Sequence, residues 1–250
     1  MVARAHLVTI PFSHYCDKAR WALDRAGIAY DEEGHAPVFH YLGVRRAGAR
    51  RTVPVLVHEG RVLTDSTDIC KHADTLAPAE RKLYPAEPAL RAEVEALEDE
   101  LDERLGPATR RIAYSHILAN RAEAVALVQT GAPAWERWLL WTTAPLVFGL
   151  LRRGLKINAA GVERSHASLD QILAQVEARL ADGRRFLVGD RFTAADLTFA
   201  ALAAPMTAPP EYGFPLPLDR APPALRAEVE AFRARPAGVF ALRMYREHRR

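Results

Sequence analysis

Apolar and polar positions change their period several times in the first eighty residues and settle into a helical repeat afterwards. A short apolar run at residues 6–10 predicts a buried strand. Pro11 and Phe12 interrupt it, Ser13 stands where an N-cap belongs, and residues 14–26 predict a helix stopped by Gly27. Residues 28–30 predict a second strand, and the irregular stretch 31–51 has room for a weak helix. A strand at 53–57, interrupted by Pro54, is followed by one at 61–63 and a helix at 66–76. Pro54 lacks the N–H that a strand ladder needs and belongs at a strand start or edge, where a cis bond is one reason for a proline. Residues 77–88, with Pro78, Pro85 and Pro88, read as an inter-domain linker.

Beyond the linker the pattern is helical. Val94, Leu97, Leu101 and Leu105 recur at three and four across a helix predicted at 90–105. Gly131 and Pro133 precede a helix carrying Trp135, Trp138 and Trp141 on one face; that face reads as helical core, with a wall over a substrate site as the alternative. A helix at 162–180 ends at Asp182-Gly183, residues 193–204 predict a short buried helix, 205–223 a proline-rich loop and 224–233 a final helix. The chain thus divides into an α/β part, 1–78, and an all-helical part, 88–250, with no internal repeat.

Composition narrows the class. The chain has 250 residues, 49% hydrophobic and 26% charged, which suits a soluble globular protein and excludes a disordered or low-complexity one. Two cysteines, Cys16 and Cys70, exclude a disulfide scaffold and point to a reducing compartment, the cytoplasm. The apolar stretch 139–151 is too short for a membrane span and contains Pro145, and residues 1–11 lack a cleavable signal pattern. The net charge of +3 is spread along the chain, so no basic domain points to nucleic acid. Lys18, Lys71, Lys82 and Lys156 are the only lysines; the arginine surplus reads as the mark of a GC-rich genome, and the basic tail 243–250 as a solvated helix end. Histidines and cysteines show no metal-ligand spacing, and no glycine-rich phosphate loop is present.

Chemistry gathers at Ser13-His14-Tyr15-Cys16, between the first strand and first helix. A helix N-terminus presents unpaired N–H groups and the positive dipole end, which favour an anion such as a thiolate. The S-x-x-C tetrad resembles the C-x-x-C of thioredoxin-like proteins with its first thiol replaced; a plain N-cap serine and a buried cysteine account for the same residues. Thr52-Val53-Pro54-Val55-Leu56, Leu63-Thr64-Asp65-Ser66 and the all-helical second half, in this order, resemble the cytosolic glutathione transferase family over nearly the whole chain.

The resemblance implies an N-terminal thioredoxin-like domain that binds glutathione and a C-terminal helical-bundle domain that holds an electrophilic acceptor, in a detoxifying homodimer without nucleic-acid or membrane partners. Ala19-Arg20-Trp21-Ala22-Leu23 looks like the family's first-helix signature and places the catalytic residue at Ser13, with Tyr15 and His14 as second choices. Where tyrosine-type members end their first strand in Tyr, this chain has Thr9. A serine hydroxyl suits thiol activation because it donates a hydrogen bond to the glutathione sulfur and favours the thiolate. By the same resemblance Val53 offers its backbone to the cysteinyl part of glutathione, cis-Pro54 shapes that edge, and Asp65 and Ser66 hold the γ-glutamyl end.

Arg51, from the cluster Arg45, Arg46, Arg50 and Arg51, is the candidate for the glycyl carboxylate, with His35 and His40 as further loop candidates. Asp65-Ser66 with Asp68 also reads as an ordinary helix start, and Val53-Pro54 as an ordinary strand start. Thr193 to Asp196 has capping-box spacing and a structural role, while Tyr114 and His116 sit near the end of a helix facing the cleft. Two other functions share these features: a glutathione-dependent isomerase or reductase, in which Cys16 takes part only if exposed, and a non-catalytic interaction module of the same fold.

Overall fold

The computed structural model describes residues 4–214, 216 and 218–249. Residues 1–3, Pro215 and Pro217 of the proline-rich loop and Arg250 of the basic tail lie outside the described residues. The N-terminal domain is a four-stranded sheet in the order β2-β1-β3-β4. Strand β1 (Ala5–Thr9) runs parallel to β2 (Tyr30–Gly34) and antiparallel to β3 (Val55–His58), which pairs antiparallel with β4 (Arg61–Leu63). Period-two alternation gives each face its own core. Leu7 and Leu56 join the cluster containing α1 (His14–Ala26) and α3 (Ser66–Leu76), while Val8 and Val55 meet Val44 of α2 (His40–Arg46) on the other side. Helix α1 stops where expected, because Gly27 takes φ 72° and returns its N–H to the Asp24 carbonyl at 3.1 Å.

Two strands differ from the sequence expectation. The second strand lies at Tyr30–Gly34 rather than 28–30. It is an edge strand with a single neighbour, so ladder bonds and side-chain pairs hold it in place of apolar burial. Glu32 accepts from Arg20 (2.6 Å) and Thr9 (2.5 Å), and Glu33 faces His6 (3.1 Å) and Arg46 (2.9 Å). The third strand begins at Val55, two residues later than expected, since Pro54 has no N–H to give the ladder and follows Val53 through a cis bond.

The C-terminal domain is helical. Helix α4 (Pro88–Glu100), capped by Glu87, passes through a wider π-type turn at Leu101–Leu105 into α5 (Gly106–Ile117), so the expected helix 90–105 is the first half of a longer one. Then follow α6 (Arg121–Gln129), α7 (Ala134–Gly154), α8 (Ala159–Leu180), α9 (Ala194–Thr207), α10 (Pro223–Ala234) and α11 (Pro236–His248). Helix α9 is the buried axis of the domain. Ala200, Ala201, Ala203 and Ala204 are fully covered, and small side chains let α1, α5 and α11 approach closely. At its start Asp196 accepts from the Thr193 and Leu187 N–H groups at 2.8 and 2.7 Å; burial raises its carboxyl to about 6.

Helix α10 is not the last. Helix α11 buries Phe240, Ala241, Met244 and Tyr245 and joins the domains: the Tyr245 hydroxyl donates to Asp17 (2.7 Å), and Trp21 Nε1 donates to the His248 carbonyl (3.0 Å). The tail is therefore anchored rather than solvated, with Arg249 2.6 Å from Asp24. A second tie is ionic. Lys18, fully buried on α1, lies 3.0 Å from Glu98 and 2.5 Å from Asp102. Burial opposes its charge, but the two carboxylates more than offset that and hold Lys18 protonated.

The tryptophan face of α7 is not core. Trp135, Trp138 and Trp141 are 45%, 70% and 73% exposed. Helix α7 packs chiefly on α6 and buries its opposite side through Leu140, Ala144, Val147 and Phe148, leaving the indoles outside. Its N-terminal end is pinned to the sheet domain by Glu136, also fully buried: Oε1 lies 2.5 Å from His35 Nδ1, and Oε2 accepts the Ala36 N–H at 2.8 Å. The Glu136 hydrogen bond raises the His35 pKa against its burial, with Glu33 2.8 Å from Nε2 adding to the effect.

A raised folded-state pKa makes this contribution complete below the ordinary histidine value of about 6.5. It is lost as pH rises through the elevated value of His35. Thermal melts across this range are expected to show falling stability with rising pH in the wild type and a flatter profile in His35→Asn.

Candidate active site

A cavity of about 850 Å³ opens between the two domains. Ser13 lines it. Its N–H is taken by the Ile10 carbonyl and its carbonyl by the Asp17 N–H, both at 2.9 Å, so the backbone is fixed by the turn and by the first turn of α1. It occupies the N-cap position in extended conformation and lines the cavity, yet its side chain makes no capping bond; it is hydrogen-bonded to the Cys16 thiol instead.

The neighbouring side chains are already committed. His14 Nε2 lies 3.1 Å from the Gly106 carbonyl, and burial, aided by the Arg110 charge, lowers its pKa to about 3; it is neutral and a poor base. The Tyr15 hydroxyl donates to the Asp102 carbonyl at 2.7 Å, and burial pushes it up to about 12. Gly106 leaves room for this contact, since a Cβ at that position would overlap the Tyr15 hydroxyl and force it to shift. Cys16 is fully buried and its thiol is pushed up to about 11. Cys70, on α3, is also buried.

Around Ser13 the cavity is lined by Arg51, Thr52, Val53 and His40 on the sheet side. His40 Nε2 lies 3.3 Å from the Arg51 carbonyl. Val53 stands outside the strand ladder, and its backbone has no hydrogen-bond partner among the described residues. Pro54, Asp65 and Ser66 do not line this cavity. Asp65, rather than Ser66, caps α3, accepting the Thr67 N–H at 2.8 Å; Ser66 is buried at the first helical position. Asp65 is nevertheless close enough for its charge to act on Tyr15.

Arg46 pairs with Glu33, and Arg45 and Arg50 are exposed, which leaves Arg51 as the member of its cluster that reaches the cavity. His35 is buried against Glu136, and His116 pairs with Glu228 at 2.9 Å outside the lining.

The rest of the lining is largely apolar and aromatic, including Phe12, Tyr114, Tyr212, Phe214, Leu225 and Val229. Tyr212 and Phe214 come from the proline-rich loop, which the Tyr212 hydroxyl anchors to the Phe12 carbonyl at 3.1 Å. Helix α7 contributes Leu150, Leu151 and Gly154, while none of its tryptophans lines the cavity. Sequence reasoning missed Arg110 and Asp102. Asp102 accepts from Lys18 and from Thr67 (2.7 Å) through Oδ2, while its buried Oδ1 has no partner. Only its position in an amphipathic helix was visible; the π-type turn that redirects it was not.

The glutathione S-transferase N-terminal domain model matches residues 7–81, and the glutathione S-transferase C-terminal domain model matches residues 159–227. The two stretches make up more than half of the chain. The chain belongs to the glutathione transferase family.

Protein LigF from Sphingobium sp. (strain NBRC 103272 / SYK-6) is 25% identical over 200 residues, which span 77% of this chain and 74% of the relative. The crystal structure of beta-etherase LigF from Sphingobium sp. strain SYK-6 superposes with a TM-score of 0.60 at 20% identity, covering 96% of this chain and 99% of that one. The theta class glutathione S-transferase from Xanthomonas axonopodis pv. citri, solved with glutathione bound, gives 0.56 at 21% identity, with 97% and 98% covered. Among the described residues no helix is long and apolar enough to cross a membrane.

Proposed function

We propose that this glutathione transferase family member binds glutathione as co-substrate and that Ser13 favours its thiolate for attack on an apolar electrophile in the interdomain cavity. The observation that carries the reading is the state of the S-x-x-C tetrad. Of its four side chains, His14 and Tyr15 are spent on α4–α5 backbone and Cys16 is buried, while Ser13 lines the cavity without a capping role, its side chain hydrogen-bonded to the neighbouring Cys16 thiol. The Ser13 O–H would donate to the sulfur, and the N-terminal end of α1 would add its dipole. The thiolate electron pair forms the new S–C bond, and the leaving group departs with the pair of the bond that breaks.

Glutathione-bound and beta-etherase relatives support a glutathione-dependent enzyme. In this reading Val53 pairs with the cysteinyl backbone beside Pro54, Asp65 and Ser66 take the γ-glutamyl end at α3, and Arg51 takes the glycyl carboxylate. We place the glutathione domain at residues 1–78, the acceptor domain at 88–250, and the protein in the cytoplasm as a homodimer. Buried Cys16 has no route into thiol–disulfide chemistry, which disfavours a cysteine-dependent reductase. Calorimetry with glutathione, followed by a conjugation assay on a benzyl halide, tests the proposal. Binding with turnover is expected; no heat at millimolar glutathione would leave the non-catalytic interaction module as the reading.

A further inference from the structure

We propose that Arg110 is a specificity-determining residue that selects aromatic acceptors presenting an oxyanion to the interdomain cavity. The inference rests on the proposed acceptor site and names its substrate class. Arg110 lies on α5 and lines the cavity together with Ser13. Its guanidinium sits 5.8 Å from the centroid of the Tyr15 ring, and its charge reaches His14, Tyr15 and Tyr114.

Other arginines of this helical run are spent. Arg111 donates to the Leu155 carbonyl (2.8 Å) and Ser165 Oγ (2.5 Å), and Arg104 donates to Glu100 (2.5 Å) and Gln171 (2.8 Å). Arg110 has neither a hydrogen bond nor an ion pair among the described residues. The nearest candidates for a partner do not serve. His14 is neutral, Tyr15 points its hydroxyl at the Asp102 carbonyl, and the Asp102 carboxylate gives Oδ2 to Lys18 and Thr67 while its Oδ1 makes no bond to Arg110 or any other described residue. Glu123 on α6 is the acid in the described lining, and no bond joins it to Arg110.

A guanidinium offers five N–H donors in a planar fork. Arg110 is half-buried and none of its nitrogens is a buried atom without a partner, so its donors are open to a ligand that enters the cavity. A planar oxyanion satisfies two of them at once. The rest of the wall defines what carries that oxyanion. Phe12, Tyr114, Tyr212 and Phe214 form an aromatic surface suited to a flat ring. Two chemistries share this feature: an aryl carboxylate on the acceptor, and an aryl ether whose phenoxide leaves with the C–O bonding pair as the sulfur–carbon bond forms. In the second case the guanidinium receives the charge as it develops, which lowers the barrier rather than the binding energy.

Binding is read first without glutathione, using 2-naphthoate and its uncharged counterpart 2-naphthamide in calorimetry. Wild-type protein is expected to prefer the carboxylate by about 10- to 100-fold, the scale of a charged hydrogen-bonded pair. Arg110→Met should erase that preference while leaving naphthamide and glutathione affinity unchanged, and Arg110→Lys should restore part of it. A preference that is absent in the wild type, or that survives in Arg110→Met, overturns the proposal. Because this arm needs no thiol chemistry, its outcome is separate from that of the glutathione reading.

Kinetics then assign the source of the oxyanion. A fall in kcat confined to a benzyl phenyl ether assigns it to the leaving group. A rise in KM confined to a carboxylate-bearing benzyl halide assigns it to a substituent. Equal losses with these two and with an unsubstituted benzyl halide overturn the role.

Discussion

Ser13→Ala is expected to lower kcat/KM for glutathione conjugation by about 10- to 100-fold, because a hydrogen bond to a charged acceptor contributes about 1.5–3 kcal/mol. The effect should appear as a shift of the bound thiol's pKa toward that of free glutathione, followed by thiolate absorbance across a pH titration. Folding should be little affected, since the Ser13 side chain makes no capping bond and its backbone contacts survive in alanine; the bond lost in the resting protein is the one to the buried Cys16 thiol. A residual rate is expected from the N-terminal dipole of α1 and from positioning of the thiol, which the substitution leaves in place. Thiolate formation unchanged in Ser13→Ala would remove the assigned role, and with His14 neutral and Tyr15 committed, would transfer it to backbone N–H groups at the helix start.

Lys18→Met should have the largest effect on stability. It leaves the Glu98 and Asp102 carboxylates facing each other in the domain interface without their cation, and Glu98 is fully buried. Removing one partner of a buried ion pair costs about 3–5 kcal/mol. At the size of this chain that corresponds to a fall of about 6–20 °C in Tm. The loss is one of uncompensated charge rather than of packing volume, so adding Glu98→Gln should recover part of it. A calorimetric melt of the single and double variants measures both; a Tm unchanged in Lys18→Met would show that the interface tolerates the carboxylates by protonating them. Since α1 carries both Lys18 and the Ser13 turn, a loosened interface should also weaken glutathione binding.

Much of the fold is legible in the sequence where local chemistry decides it. The bounds of α1 and α3 follow from the cap position at Ser13, the left-handed Gly27 and the Asp65 side chain. β4 follows from the Glu59-Gly60 turn, and the start of α9 from Thr193 and Asp196. The second strand escapes its pattern because its residues are polar and its stability comes from cations on other elements. α11 reads as a solvated tail because Pro236 and the arginines mask an apolar face whose partner, Trp21, lies more than two hundred residues away.

The sequence by itself determined the order of strands and helices in the N-terminal domain, the helical character of the rest, the S-x-x-C tetrad at a helix start and the proline beside Val53. These depend on residues a few positions apart, through backbone dihedrals, capping and side-chain period. Only the tertiary structure decided which tetrad side chains are tied to the helical domain, because His14 is occupied by Gly106, 92 residues away, and Tyr15 by Asp102, 87 away, while Ser13 lines the cavity with its neighbour Cys16 as its side-chain partner. It also turned the tryptophans of α7 outward and placed Arg110 in the cavity over the Tyr15 ring, with no hydrogen bond or ion pair among the described residues. Periodicity reports that a helix has two unlike faces; which face is covered, and by what charge, depends on helices that the chain brings alongside only when it folds.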